Sequence, residues 1–178
     1  MKKGFAYSRQ IHHVWILLRQ TCNLMPKYLE PLFTDAGITY QQYMVLFSLK
    51  LLDSPVTISD VAHNLDRNVN SISTIIERMY KDGLVKRTRD LADRRTVRLK
   101  ITSKGEGKLK VVSWPYWEMV AKLLSHFSNE ELQTMERLTN KLKRYMADEI
   151  GTDRVAELHT EVDPDKVARV WAEVNSKA

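Results

Sequence analysis

Residues 56–105 read VTISDVAHNLDRNVNSISTIIERMYKDGLVKRTRDLADRRTVRLKITSKG. In the middle, NVNSISTIIERMYKDG carries Ile72, Ile75, Ile76 and Met79 at i, i+3, i+4 and i+7, which places them on one face of a helix. Asn70, Ser71, Ser73, Thr74, Glu77, Arg78 and Lys81 fall on the other side. A helix with short hydrogen-bonding side chains near its N-terminus and cations further along suits a DNA major groove. The short side chains reach base edges and phosphates, and Arg and Lys neutralise the backbone. An ordinary solvated face has a similar composition, so the neighbouring elements decide between the two.

Upstream, Thr57 and Asp60 have the spacing of a capping box, and Ile58, Val61, Ala62 and Leu65 again repeat at i, i+3, i+4 and i+7. Asp66-Arg67-Asn68 then joins this short helix to the polar-faced one, which is the spacing of a helix-turn-helix. Gly83 stands where a helix C-terminus needs a left-handed residue. Downstream, Val97, Leu99 and Ile101 alternate with Arg98 and Lys100, the period of a half-buried strand. Leu84 to Arg89 can pair with it across the tip Asp90-Leu91-Ala92-Asp93-Arg94-Arg95. A charged hairpin directly after a helix-turn-helix is a wing.

With these pieces in place, NLDRNVNSISTIIERMYKDGLVKRTRDLADRRTVRLKITSKG resembles the winged helix-turn-helix core of the MarR family of transcriptional regulators. DGLV opening the wing, DRR at its tip and LKITSKG closing it are the most specific parts. The order of elements matches over residues 10–147, and the match is dense over 56–105. The expected fold is mainly α with a small β-hairpin wing, a winged helix-turn-helix combined with a helical dimerisation domain.

The net charge of +6 is concentrated. Residues 81–110 hold eleven Lys and Arg against four Asp and Glu, a local +7 that leaves the other 148 residues at −1. A basic excess confined to the wing and its flanking helices is the electrostatic footprint of a DNA-binding surface. The length of 178 residues suits one domain or two small ones. No apolar run reaches the roughly 18 residues of a membrane span. MKKGFAYSRQIHHVW lacks a signal-peptide core and the chain has one cysteine, so a cytoplasmic protein is expected, with no membrane partner.

Outside the winged segment the chain reads as helices. Over about residues 8–33, Ile11, Val14, Trp15, Leu18, Cys22 and Met25 form an apolar stripe, with Pro26 expected to kink it. Thr39 and Gln42 cap a second helix whose Tyr43-Met44-Val45-Leu46-Phe47 run is apolar all round and therefore central. Thr102 caps a long helix to about His126, and Ser128 with Glu131 caps another. Asp163 and Pro164 open a last short helix with Val167, Val170, Trp171 and Val174 along one side. The expected organisation is dimerisation helices over 1–54, the winged domain over 55–102, further dimerisation helices over 103–149, and an extension over 150–178. That extension could dock on the dimer or cover a site.

The terminal stripes exceed what the small winged core can cover, and a symmetric homodimer is the economical answer. The resemblance implies the same arrangement, with two recognition helices on a pseudo-palindromic double-stranded site. Asn70, Ser71, Ser73, Thr74 and Arg78 are the candidate contacts on the helix. At the wing tip Arg95 matches the family's minor-groove arginine, with Asp93 orienting it and Arg94 meeting a phosphate. The resemblance also implies a small aromatic effector between the dimer helices and the winged domain. His12, Trp15, Arg19, Tyr43 and Trp114 are candidates to line that pocket, although Trp15 and Trp114 also fit as plain core residues.

In the hydroperoxide-sensing branch of the family the reactive cysteine falls at the position of Trp15. Tyr40 matches one of that branch's tyrosines, but its companions fall at Arg19 and Leu29. Cys22, on the apolar stripe without a neighbouring cation, is expected to be buried and inert. No glycine-rich phosphate loop, GxSxG, HExxH or CxxC is present, and the five histidines lack metal-ligand spacing. An enzyme, a cofactor and a metal are therefore not expected. A ligand-independent repressor and a sequence-blind architectural DNA-binding protein remain as alternatives.

Overall fold

The computed structural model describes residues 8–89, 97–150 and 164–176. Chain order gives α1 (Arg9–Asp35), α2 (Tyr40–Leu51), β1 (Val56–Thr57), α3 (Ile58–Asn64), α4 (Val69–Lys81), β2 (Val85–Arg89), β3 (Val97–Ile101), α5 (Ser103–Leu124), α6 (Asn129–Ile150) and α7 (Pro164–Ser176). The fold is mainly helical with one small antiparallel sheet, in the order β1-β3-β2.

Local chemistry fixes the element ends. Thr39 accepts from the Gln42 amide at 3.2 Å while the Gln42 side chain accepts from the Thr39 amide at 2.8 Å, closing the capping box of α2. Thr57 and Asp60 do the same for α3, at 3.2 and 2.7 Å. Ser128 and Glu131 exchange the equivalent pair at 3.3 and 2.8 Å before α6. Each box satisfies two helix amides that otherwise have no partner. Asp66 turns the chain between α3 and α4 with φ +51°, and Gly83 leaves α4 with φ +71°. Asp163, the expected cap of α7, lies outside the described residues.

The third strand was not foreseen. Val56 and Thr57 pair with Leu99 and Arg98, so β3 is central and β1 and β2 flank it. Two residues are too few to show alternation, which is why the sequence reads there only as a cap.

The core is continuous across the segments. Phe33 from α1, Tyr43, Val45 and Leu46 from α2, Val61 from α3, Ile72, Ile76 and Met79 from α4, Leu99 from β3, and Leu109 and Val112 from α5 form one buried cluster. α2 is enclosed as its all-round apolar sequence requires. Phe33, Tyr40, Tyr43 and Tyr116 form an aromatic knot, with ring centroids 5.2–6.1 Å apart. α1 stays helical through Pro26 and Pro31. Only its C-terminal third enters the core, through Leu29 and Phe33.

α7 docks on its own chain, packing on α5 and α2. Trp171 stacks on Trp114 at 5.3 Å, Val170 is buried, Val174 rests against the core, and Lys166 pairs with Asp53 at 3.1 Å.

Candidate nucleic-acid interface

α4 presents the face its spacing requires. Ile72, Ile76 and Met79 are sealed in the core, while Asn70, Ser71, Thr74 and Arg78 are exposed and Ser73 is half-buried. Asn68 caps the helix by accepting from the Asn70 amide at 2.9 Å. The Thr74 hydroxyl donates to the Asn70 carbonyl at 3.0 Å, which leaves its oxygen as an acceptor on the outer face. Val69 is also exposed, and an apolar side chain at the start of a recognition helix can meet a thymine methyl. The sequence reading missed it because Val69 breaks the polar pattern.

Glu77 has a different role from its polar neighbours. It pairs with Arg87 of β2, whose guanidinium lies 5.3 Å from the Tyr80 ring centroid. This contact fastens the hairpin to α4. Lys104 donates to the Asp82 carbonyl at 2.7 Å and so covers the negative end of α4. At the base of the hairpin the Thr102 hydroxyl donates to the carbonyls of Gly83 (2.6 Å) and Leu84 (3.1 Å) while accepting from the Gly105 amide. Helix, hairpin and α5 therefore meet on one residue. Lys86 and Lys100 are exposed on the strands, extending the basic surface from α4. Asp93, Arg94 and Arg95 lie outside the described residues.

The five pocket candidates are not gathered into one cleft. His12, Trp15 and Arg19 lie on the exposed part of α1, Trp15 being 58 % exposed. Tyr43 is only 2 % exposed, so the expectation that it lines an open pocket is corrected: α2 is central and its tyrosine is core. Burial pushes the Tyr43 hydroxyl well above the usual tyrosine range, against a hydrogen bond with Ser113. Trp114 is 55 % exposed and lines a cleft between α5 and α7 of about 680 Å³. In the single chain neither Trp15 nor Trp114 is an ordinary core residue. Cys22 is exposed, contrary to expectation, because none of the described residues covers that stretch of the α1 stripe. Among the described residues no acidic, histidine or cysteine cluster could hold a metal, and no helix is long and apolar enough to cross a membrane.

A family model described as a winged helix DNA-binding domain matches residues 38–105, from the α1–α2 turn into the first turn of α5. Solved structures share the architecture beyond that segment. The MepR–DNA complex of S. aureus superposes with a TM-score of 0.70 at 23% identity, covering 74% of this chain and 96% of that one. A MarR-like regulator from Bacillus cereus superposes at 0.69 with 25% identity, covering 78% and 99%. In sequence, the transcriptional repressor MdtR of Bacillus subtilis is 29% identical over 119 residues, 67% of this chain and 76% of that protein. The chain carries a winged helix DNA-binding domain and resembles the MarR-type regulators in sequence and fold. As a MarR-type protein it is a DNA-binding transcriptional regulator. MgrA of Staphylococcus aureus, 28% identical over 65% of this chain and 76% of its own length, carries a regulator's name as well. Within the MarR frame, α3 and α4 are the helix-turn-helix and β2–β3 the wing.

Proposed function

We infer that this MarR-type chain acts as a homodimeric repressor that reads a pseudo-palindromic operator, with half-sites about one helical turn, roughly 10 base pairs, apart. The observation that carries the reading is the apolar surface left uncovered in the single chain. Ile11, Val14, Trp15 and Leu18 of α1, and Met135, Leu138 and Leu142 of α6, stand exposed at helical spacing. Contiguous apolar stripes of this kind mark interaction surfaces, and a two-fold partner would bury them. A two-fold axis then repeats the α4 face, with Asn70, Ser71, Ser73, Thr74 and Arg78 toward bases and phosphates. Asp93, Arg94 and Arg95 extend the contact into the minor groove at the wing tip.

Release of DNA by a small aromatic effector belongs to the same proposal. Trp114, exposed and lining a cleft, supports an effector contact at α5.

Selection of bound sites from a random duplex pool, in the presence of excess unrelated duplex, tests specificity, palindromy and spacing together. A pool that yields no common motif favours the sequence-blind architectural reading. Arg95→Ala should weaken operator binding about tenfold with the dimer intact. Unchanged affinity in a gel-shift at fixed salt would remove the wing tip from the interface.

A further inference from the structure

The cleft between α5 and α7 differs in kind from the other surfaces. Trp114, Trp117, Glu118 and Ala121 of α5 face Val167 and Trp171 of α7 around about 680 Å³, a volume within the usual range of small-molecule sites. The Trp114 and Trp171 rings stack on each other 28° from parallel, with centroids 5.3 Å apart, and with Trp117 they make the lining largely aromatic. Glu118, itself exposed, is the single charged side chain among the described residues that line the cleft. Indole faces carry negative potential and attract cations, and a carboxylate beside them adds a full negative charge of the same sign. An anion is repelled by both. A neutral ligand gains apolar contact alone.

We propose that the α5–α7 cleft binds a lipophilic cation, one whose charge is carried on an aromatic or alkyl body, as in a quaternary ammonium or phosphonium ion. The apolar body lies against the tryptophans and the charge faces Glu118. α7 is also anchored next to the winged domain. Lys166 pairs with Asp53, in the turn between α2 and β1, and Val174 rests on the core. An occupant that displaces α7 therefore disturbs a support of the helix-turn-helix. This consequence rests on the repressor reading, whereas binding itself does not.

Two ions of nearly equal shape and opposite charge provide the test: tetraphenylphosphonium and tetraphenylborate. Three of the four tryptophans line the cleft, and Trp15→Phe removes the fourth from the fluorescence signal. In the full chain tetraphenylphosphonium should quench saturably and tetraphenylborate should not. Glu118→Gln should weaken the cation about fivefold, and Glu118→Lys should abolish its binding. Because Glu118 is exposed, both variants should keep the fold, which circular dichroism checks. Equal affinity for the two ions overturns the proposal, as does quenching that ignores both substitutions. The absence of quenching by either ion does the same, including the case in which a second copy of the chain covers the cleft. In a gel-shift, saturating phosphonium should release operator DNA. Binding without release overturns the coupling through α7, and failure of the unliganded protein to bind any operator overturns the repressor reading instead.

Discussion

Replacing Gly105 by alanine should destabilise the protein, although the same change in an open helix stabilises. Gly105 is buried in the first turn of α5. A Cβ built there stands 2.2 Å from the Leu84 carbonyl oxygen, 2.9 Å from Ile101 Cγ2 and 3.2 Å from Leu46 Cδ2. A tolerable carbon–oxygen contact is about 3.3 Å, so α5 must retreat by about 1 Å. That carbonyl also accepts from the Thr102 amide and the Thr102 hydroxyl, both at 3.1 Å, and a retreat stretches both bonds. Exchange of glycine for alanine in a helix gains about 1 kcal/mol. Overpacking costs about 1–3 kcal/mol, and the two strained hydrogen bonds add about 1 kcal/mol each if lost. The net expectation is a loss of about 2–4 kcal/mol. Two residues on, Gly107 is exposed and a Cβ there meets nothing within 4 Å, so Gly107→Ala should gain about 0.5–1 kcal/mol. Urea denaturation of the two variants, compared at equal m-value, reads the difference directly. If Gly105→Ala proves as stable as the unsubstituted protein, the close seating of α5 on the hairpin base is wrong.

Other expectations follow from particular groups. Burial, with Tyr40 adding to it, raises the Tyr116 hydroxyl to about 12, and burial raises Tyr43 further. The folded chain thus holds these protons more tightly than the unfolded chain, whose tyrosines titrate near about 10. Their contribution is complete below that value and is lost as the pH rises toward 12, so stability should fall over this interval, and less so in a Tyr43→Phe/Tyr116→Phe variant; a flat wild-type profile refutes it. The Trp117 indole N–H is buried with no hydrogen-bond partner within the described chain, so Trp117→Phe should leave the melting temperature unchanged or raise it, with a clear drop as the contrary result. Leu138→Glu puts a charge on the uncovered α6 stripe and should shift the protein toward monomer in analytical ultracentrifugation without unfolding it. An unaltered sedimentation profile would place the dimer contact elsewhere.

The legible and illegible parts of this molecule divide along a physical line. Caps and periodicities depend on residues three or four apart, and the Thr39–Gln42 and Thr57–Asp60 boxes, the buried Ile72–Ile76–Met79 face and the β2–β3 pairing all lie in the structure where the sequence places them. Periodicity also shows that α7 has an apolar side, but not what that side meets. Trp171 on Trp114 is a contact between residues 57 positions apart, and no local pattern encodes it. Tyr43 shows the limit from the other direction. Its apolar neighbours announce a central helix, while an aromatic hydroxyl invites a pocket role, and enclosure prevails because the whole of α2 is surrounded. Glu77 was assigned to the polar face correctly, yet its tie to Arg87 depends on how the hairpin folds back.

The two prolines in α1 set where that helix can flex. A proline supplies no amide hydrogen, so the carbonyls of Cys22 and Lys27 lack their helical donors, and the rod is most compliant there. The residues beyond Leu29 are clamped in the core, whereas Arg9 to Met25 projects as a lever of about 25 Å. A flexure of about 10° at this joint swings the far tip by about 4 Å, close to the rise of one base step, about 3.4 Å. In the proposed dimer, a small rotation at Pro26 would therefore shift the two arms by about the length of one base step.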